Sequence, residues 1–172
     1  MCRMHQGSMN RLAERRLVFK KNAPILAAPE TNLFLFAFLL NFVYEVWQSP
    51  FYEFYASPSL GDKIIDLTHC AFGDAVIILF SSWVVSALMR SRYWLLTPTW
   101  KLTFLFTSIG LLITLAIETY RVNVSKAYGV PVLAVPILGM SALAVIQWIV
   151  LPAIILYLAR RHMLGYSGQG LQ

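Results

Sequence analysis

Apolar residues fall in four long runs, separated by short stretches rich in charge, proline and aromatic side chains. A helix needs about 20 residues to cross roughly 30 Å of hydrocarbon at about 1.5 Å per residue. The runs predict spans over residues 31–48, 63–89, 100–120 and 136–158. Thr31 stands where an N-cap would open the first span, and Ser49-Pro50 stops it, because the residue before a proline avoids helical backbone. The second ends at Arg90-Ser91-Arg92, and Thr97-Pro98-Thr99 marks a turn before the third. Pro131 and Pro136 point to a broken entry into the fourth, which contains Pro152.

Polar residues inside these runs are not scattered. Asn41, Glu45 and Gln48 are spaced i, i+4, i+7, which puts them on one helical face. On the second span Asp66, His69, Cys70, Gly73 and Asp74 fall on one side and reach about 12 Å inward at the helical rise. The third carries the longest stripe: Thr103, Thr107, Gly110, Thr114, Glu118 and Arg121 recur every three or four residues, and Gln147 lies near the middle of the fourth. Lipid cannot satisfy such a stripe, so it must face other helices or water.

Charge orients the spans. Of the 14 Lys and Arg, 11 lie in the N-terminal arm, the connection from Arg90 to Lys101 and the pair Arg160-Arg161. The positive-inside rule makes these three stretches cytoplasmic. The expected fold is therefore an all-α membrane protein, a four-transmembrane-helix bundle with cytoplasmic N- and C-termini. Residues 1–29 form a basic arm, 30–160 the transmembrane domain and 161–172 a flexible tail; Met1, Met4 and Met9 are alternative starts. Trp47, Phe51, Tyr52, Phe54 and Tyr55 outside, and Tyr93, Trp94 and Trp100 inside, mark the interfaces that amphipathic rings favour.

Composition agrees with one membrane domain: the 172 residues are 58% hydrophobic, 14% aromatic and only 13% charged, against about 25% charged in a soluble domain. The net charge of +6 does not point to nucleic acid, because the basic residues flank apolar runs and form no stripe interleaved with aromatics. Cys2 and Cys70 are too far apart in this topology to read as a disulfide.

Intramembrane ionisable groups are costly and default to a functional site. Asp74 is too deep to reach the headgroups and must be protonated, paired or beside water. His69 has carboxylates near it, and Glu45 aligns with Asn41 and Gln48. Glu118 reads either as a site residue or as an interface ion pair with Arg121, and Asp66 as a solvated helix start. His69, Asp74, Glu45 and Glu118 are the catalytic candidates; Asn41, Gln48, Asn123 and Gln147 are the substrate-binding candidates. No tight metal motif such as H-E-x-x-H is present, so no metal is assigned and no cofactor named.

Runs 41–52 (Asn-Phe-Val-Tyr-Glu-Val-Trp-Gln-Ser-Pro-Phe-Tyr), 69–74 (His-Cys-Ala-Phe-Gly-Asp) and 118–123 (Glu-Thr-Tyr-Arg-Val-Asn) carry a resemblance. The chain resembles a group of small bacterial four-span membrane proteins of unknown function, which implies a bacterial inner membrane and no particular activity. More faintly it resembles the emopamil-binding and sterol-isomerase superfamily, whose spans carry carboxylates and a histidine. Here Glu45 to Gln48 is one residue shorter than the corresponding spacing in that superfamily. The expectation is an intramembrane acid–base enzyme of isomerase, cyclase or hydratase type, acting on a lipid or isoprenoid in the outer half of the bilayer. Membrane lipids are the expected partners, with a homodimer open and nucleic acid excluded. The alternatives are a proton-coupled or metal transporter and a non-catalytic subunit or assembly factor.

Overall fold

The computed structural model describes residues 28–51, 59–124, 133–135 and 141–169. Most of the basic arm, together with Tyr52, Phe54, Tyr55, Pro131 and Pro136, lies outside the described residues. The described residues form four α-helices, α1 (Pro29–Gln48), α2 (Leu60–Leu88), α3 (Trp100–Asn123) and α4 (Ala142–Gln169), with 3-10 turns at Ser49–Phe51 and Trp94–Leu96. The β pairing among the described residues is a single isolated bridge, Ala134 to Ser141.

Leu60–Leu88, Trp100–Asn123 and Ala142–Gly165 are long and apolar enough to cross a membrane. α1 is a 20-residue helix whose buried set includes Asn32, Asn41 and Gln48, and with Glu30 and Glu45 these polar residues interrupt its apolar run.

Helix ends correct several sequence boundaries. α1 opens at Ala28 with Pro29 at its first position, where a missing N–H breaks no intrahelical bond; Thr31 is therefore inside the helix and does not cap it. α2 begins earlier than residue 63 because Ser59 caps it: its Oγ accepts from the Asp62 N–H at 3.2 Å and donates to the Asp62 carboxylate at 2.7 Å, a reciprocal arrangement like a capping box. α2 closes with Arg90 at φ 49°, and Ser91 N–H and Arg90 N–H donate to the Ser86 and Ala87 carbonyls, a Schellman closure that glycine usually fills. Thr99 caps α3 through the Leu102 N–H at 3.4 Å.

The stretch after residue 160, expected to be a flexible tail, continues α4 as helix to Gln169. Nothing between Arg160 and Leu164 breaks a helix, and side chains there have partners to hold. Arg160 Nε donates to the Leu96 carbonyl at 3.0 Å, the His162 ring lies 2.5 Å from Asn32 Oδ1, and Met163 is fully buried. Pro152, also buried, sits inside α4 without ending it.

The helices pack as a ring, α1 against α2 and α4, and α3 against α2 and α4. Leu33 and Ala37 of α1, Ile78 and Val85 of α2, Phe106 of α3, and Ile155, Ala159 and Met163 of α4 meet Trp94 and Leu95 of the α2–α3 connection in one core. That core occupies the end of the bundle holding the start of α1 and the end of α4. The site lies at the other end.

Candidate functional site

A cavity of about 550 Å³ opens between the helices, lined by residues of all four, among them Glu45, Gln48, His69, Asp74, Glu118 and Gln147. Its innermost polar feature crosses three helices. Gln147 Nε2 on α4 donates to Asp74 Oδ2 on α2 and to Asn41 Oδ1 on α1, each at 2.8 Å. Asn41 in turn donates to the Ala37 carbonyl at 2.8 Å. An amide nitrogen has two N–H donors, so this one is fully committed and its rotamer is fixed by two partners on different helices. Nearby, Tyr44 OH donates to the Leu143 carbonyl at 2.9 Å and ties α1 to the start of α4.

The i, i+4, i+7 spacing on α1 turns Asn41 and Gln48 into the bundle, both almost fully buried, with Glu45 between them on the cavity wall. Glu45 lies within electrostatic reach of Gln48, Gln147, Glu118 and Arg121. Asp74, hydrogen-bonded by Gln147, lies within electrostatic reach of Glu45, Glu118 and Arg121. Three carboxyl groups from three helices thus share one space. At the C-terminal end of α3, Arg121 Nη1 lies 3.8 Å from Glu118 Oε1 and 3.9 Å from Cys70 Sγ.

Two lining side chains have buried polar atoms without a hydrogen-bond partner among the described residues, Gln48 Oε1 and Thr114 Oγ1. Buried polar atoms are nearly always paired in native structures; Trp94 Nε1, away from the cavity, is the third such atom among the described residues.

The sequence candidates do not all converge. His69 and Asp66 line the rim and are exposed; His69 makes no hydrogen bond with a described residue. Five residues along a helix turn about 500°, so His69 and Asp74 stand about 140° apart around α2, with Cys70 and Gly73 between them. Asn123 does not join the cavity: it is exposed and donates to the Thr119 carbonyl of its own helix at 3.0 Å. It lies two residues past Arg121, about 200° around α3.

Arg121, Cys70, Thr114 and Trp148 line the cavity without having stood among the sequence candidates. The stripe on α3 already carried a signal for Thr114 and Arg121. Trp148 had none, since a tryptophan in an apolar run reads as core.

The cavity floor depends on a close approach. A Cβ added to Gly110 would lie 2.1 Å from Trp148 Cζ3, so only glycine lets the indole rest on the α3 backbone. Trp148 is both a lining residue and part of the core, and it separates the two. Gly73 has the opposite environment, with nothing within 4 Å of an added Cβ. Among the described residues no group of three His, Cys, Asp or Glu side chains is placed to hold a metal ion.

Compared with protein-family models, curated proteins and solved structures, the chain gives no match. The functional reading rests on the residues themselves.

Proposed function

We propose that the protein is an intramembrane acid–base enzyme, of isomerase, cyclase or hydratase type, that acts on a lipid or isoprenoid. One observation carries the reading: Asp74 is held by Gln147, itself held by Asn41, inside a cavity that Glu45 and Glu118 share. Shifting a double bond needs one group to protonate a carbon and another to remove a proton elsewhere. Coupled carboxyl groups titrate as a set, and groups of separated proton affinity divide the acid and base roles. Asp74 and Glu45 are the exchanging pair in this scheme. Glu118 stabilises positive charge developing on the substrate, Gln147 and Asn41 position Asp74, and His69 passes protons between the rim and water.

The topology we propose is a four-span bundle in a bacterial inner membrane, with α1 as the first span, both termini cytoplasmic and the cavity in the outer half of the bilayer. Its support is the clustering of Arg92, Arg160 and Arg161 at the end of the bundle away from Glu45 and Glu118, with Arg160 bonded to the Leu96 carbonyl. Membrane lipids are the proposed partners. A transporter relaying protons through the same carboxyls needs a polar path onward; beyond Trp148 the interior is filled by Phe106, Ile155 and Trp94, which favours a one-sided pocket.

Asp74→Asn is the test. It keeps shape and the bond from Gln147 but removes the exchangeable proton. Lipid extracts of cells carrying the variant, compared by mass spectrometry with those carrying the parent protein, should lose the product by about 100-fold or more. Unchanged conversion by the variant at equal protein level would reject the assignment.

A further inference from the structure

We infer that the cavity binds the primary ammonium head of an amphiphile. The inference rests on the reading of the cavity as a lipid pocket and is independent of the acid–base chemistry proposed for it.

The cavity wall holds buried polar atoms that no described donor fills. Gln147 has two N–H groups, both used on Asn41 and Asp74, while the Glu45 carboxylate also lies within its reach. Gln48 Oε1 accepts from no described residue although the side chain is 3% exposed; Thr114, 7% exposed, leaves its hydroxyl equally unpartnered. A buried carbonyl oxygen can be satisfied only by a donor, so the missing partner must bring N–H or O–H groups.

Charge narrows the class. Glu45, Asp66, Asp74 and Glu118 line the cavity against Arg121 and His69 as the basic groups, and Arg121 already lies beside Glu118. Acidic side chains outnumber basic ones here, and a cationic head pairs with an ionised carboxyl among them. An alcohol brings one donor and no charge, and a quaternary ammonium brings charge and no donor. A primary ammonium brings both, with three N–H groups. A bare metal cation would need a cluster of ligating side chains that the described residues do not form. Leu67, Ile77, Ile117 and Trp148 supply apolar wall beside the carboxyl groups, so the ligand has an apolar portion as well. The volume of about 550 Å³ lies within the range of small-molecule pockets, roughly 300–1,000 Å³.

The test compares lipids that hold charge constant while removing donors. Purified full-length protein in a nonionic detergent is titrated by native mass spectrometry with phosphatidylethanolamine, its N-methyl and N,N-dimethyl forms, phosphatidylcholine and farnesol. Binding should fall stepwise as N–H is replaced by methyl, ending about tenfold or more weaker for phosphatidylcholine, because hydrogen bonds between charged groups contribute on that order. Gln48→Leu and the near-isosteric Thr114→Val should each flatten the series, and an unfolding temperature in detergent equal to the parent's reports that each variant is folded. Ethanolamine then separates the sources: displacement by it assigns the site to the ammonium alone, and displacement by lyso-phosphatidylethanolamine only assigns it to the lipid head. Equal binding of phosphatidylethanolamine and phosphatidylcholine, or a methylation series unchanged in both variants, overturns the inference. Farnesol bound without that discrimination does the same but leaves the acid–base reading standing. No lipid bound at all, with cellular lipids unchanged by Asp74→Asn, overturns both.

Discussion

At the end of the bundle where α4 closes, the interior is filled by Phe106, Ile155, Met163 and Trp94, and its polar groups include the Arg92–Glu30 ion pair, the His162–Asn32 contact and the buried indole N–H of Trp94, which has no partner among the described residues. At the other end the interior is a cavity of about 550 Å³ walled by carboxyl groups, and the contacts that cross it are hydrogen bonds. Helices cut off from water need their polar groups satisfied inside, and an apolar end meets that demand by having few such groups. The cavity end meets it with one amide serving two partners, which leaves Gln48 Oε1 and Thr114 Oγ1 unpaired. Apolar packing fills the first end and a polar cavity occupies the second.

The contact of Trp148 with Gly110 divides the two, so its loss should have the largest effect on folding. Gly110→Ala places a Cβ against the indole and should cost about 1–3 kcal/mol by overpacking, read as a lower unfolding temperature in detergent. A variant as stable as the parent would mean that the boundary is not packed as described.

Next comes Gln147→Leu, which removes both bonds to Asp74 and Asn41. The expected loss is about 1–2 kcal/mol, since interhelical hydrogen bonds within membranes are individually modest, but turnover should fall much further than stability. Equal losses in both would reduce Gln147 to a structural role.

At the closed end, Glu30→Gln breaks the ion pair with Arg92, whose side chain is 55% exposed. Because exposed pairs contribute little, the change should be no more than about 1 kcal/mol and should shrink further with salt.

Gly73→Ala should act in the reverse direction. Its added methyl meets nothing, so removing a helix-interior glycine should stabilise by about 0.5–1 kcal/mol while narrowing the cavity. Higher stability with weaker lipid binding would separate the roles of the two ends within one variant. Loss of stability would show that the open wall is not empty space.

The four helices were legible because apolar runs of this length have few other ways to satisfy their backbone, and the inward turn of Asn41 and Gln48 followed from spacing alone. Helix ends were less legible. Thr31 looks like a cap, yet Ala28-Pro29 opens α1, and residues 161–172 read as a flexible tail, yet α4 runs on to Gln169 with contacts to Leu96 and Asn32 along the way. In the site, Asp74, Glu45, Gln147 and Glu118 stood out as polar groups in apolar surroundings. The places of His69 at the rim and Asn123 outside the cavity depended on angles around their helices.

By itself, then, the sequence determined which segments are helical, which faces are polar and which residues cannot rest against lipid, since these follow from periodicity and from the cost of an unsatisfied polar group. Only the tertiary structure decided that one amide on α4 joins Asp74 to Asn41, that Trp148 closes the cavity against Gly110, and that a buried amide oxygen and a buried hydroxyl on the cavity wall have no described partner. Those facts depend on the rotation and approach of helices distant in sequence, which local pattern does not encode.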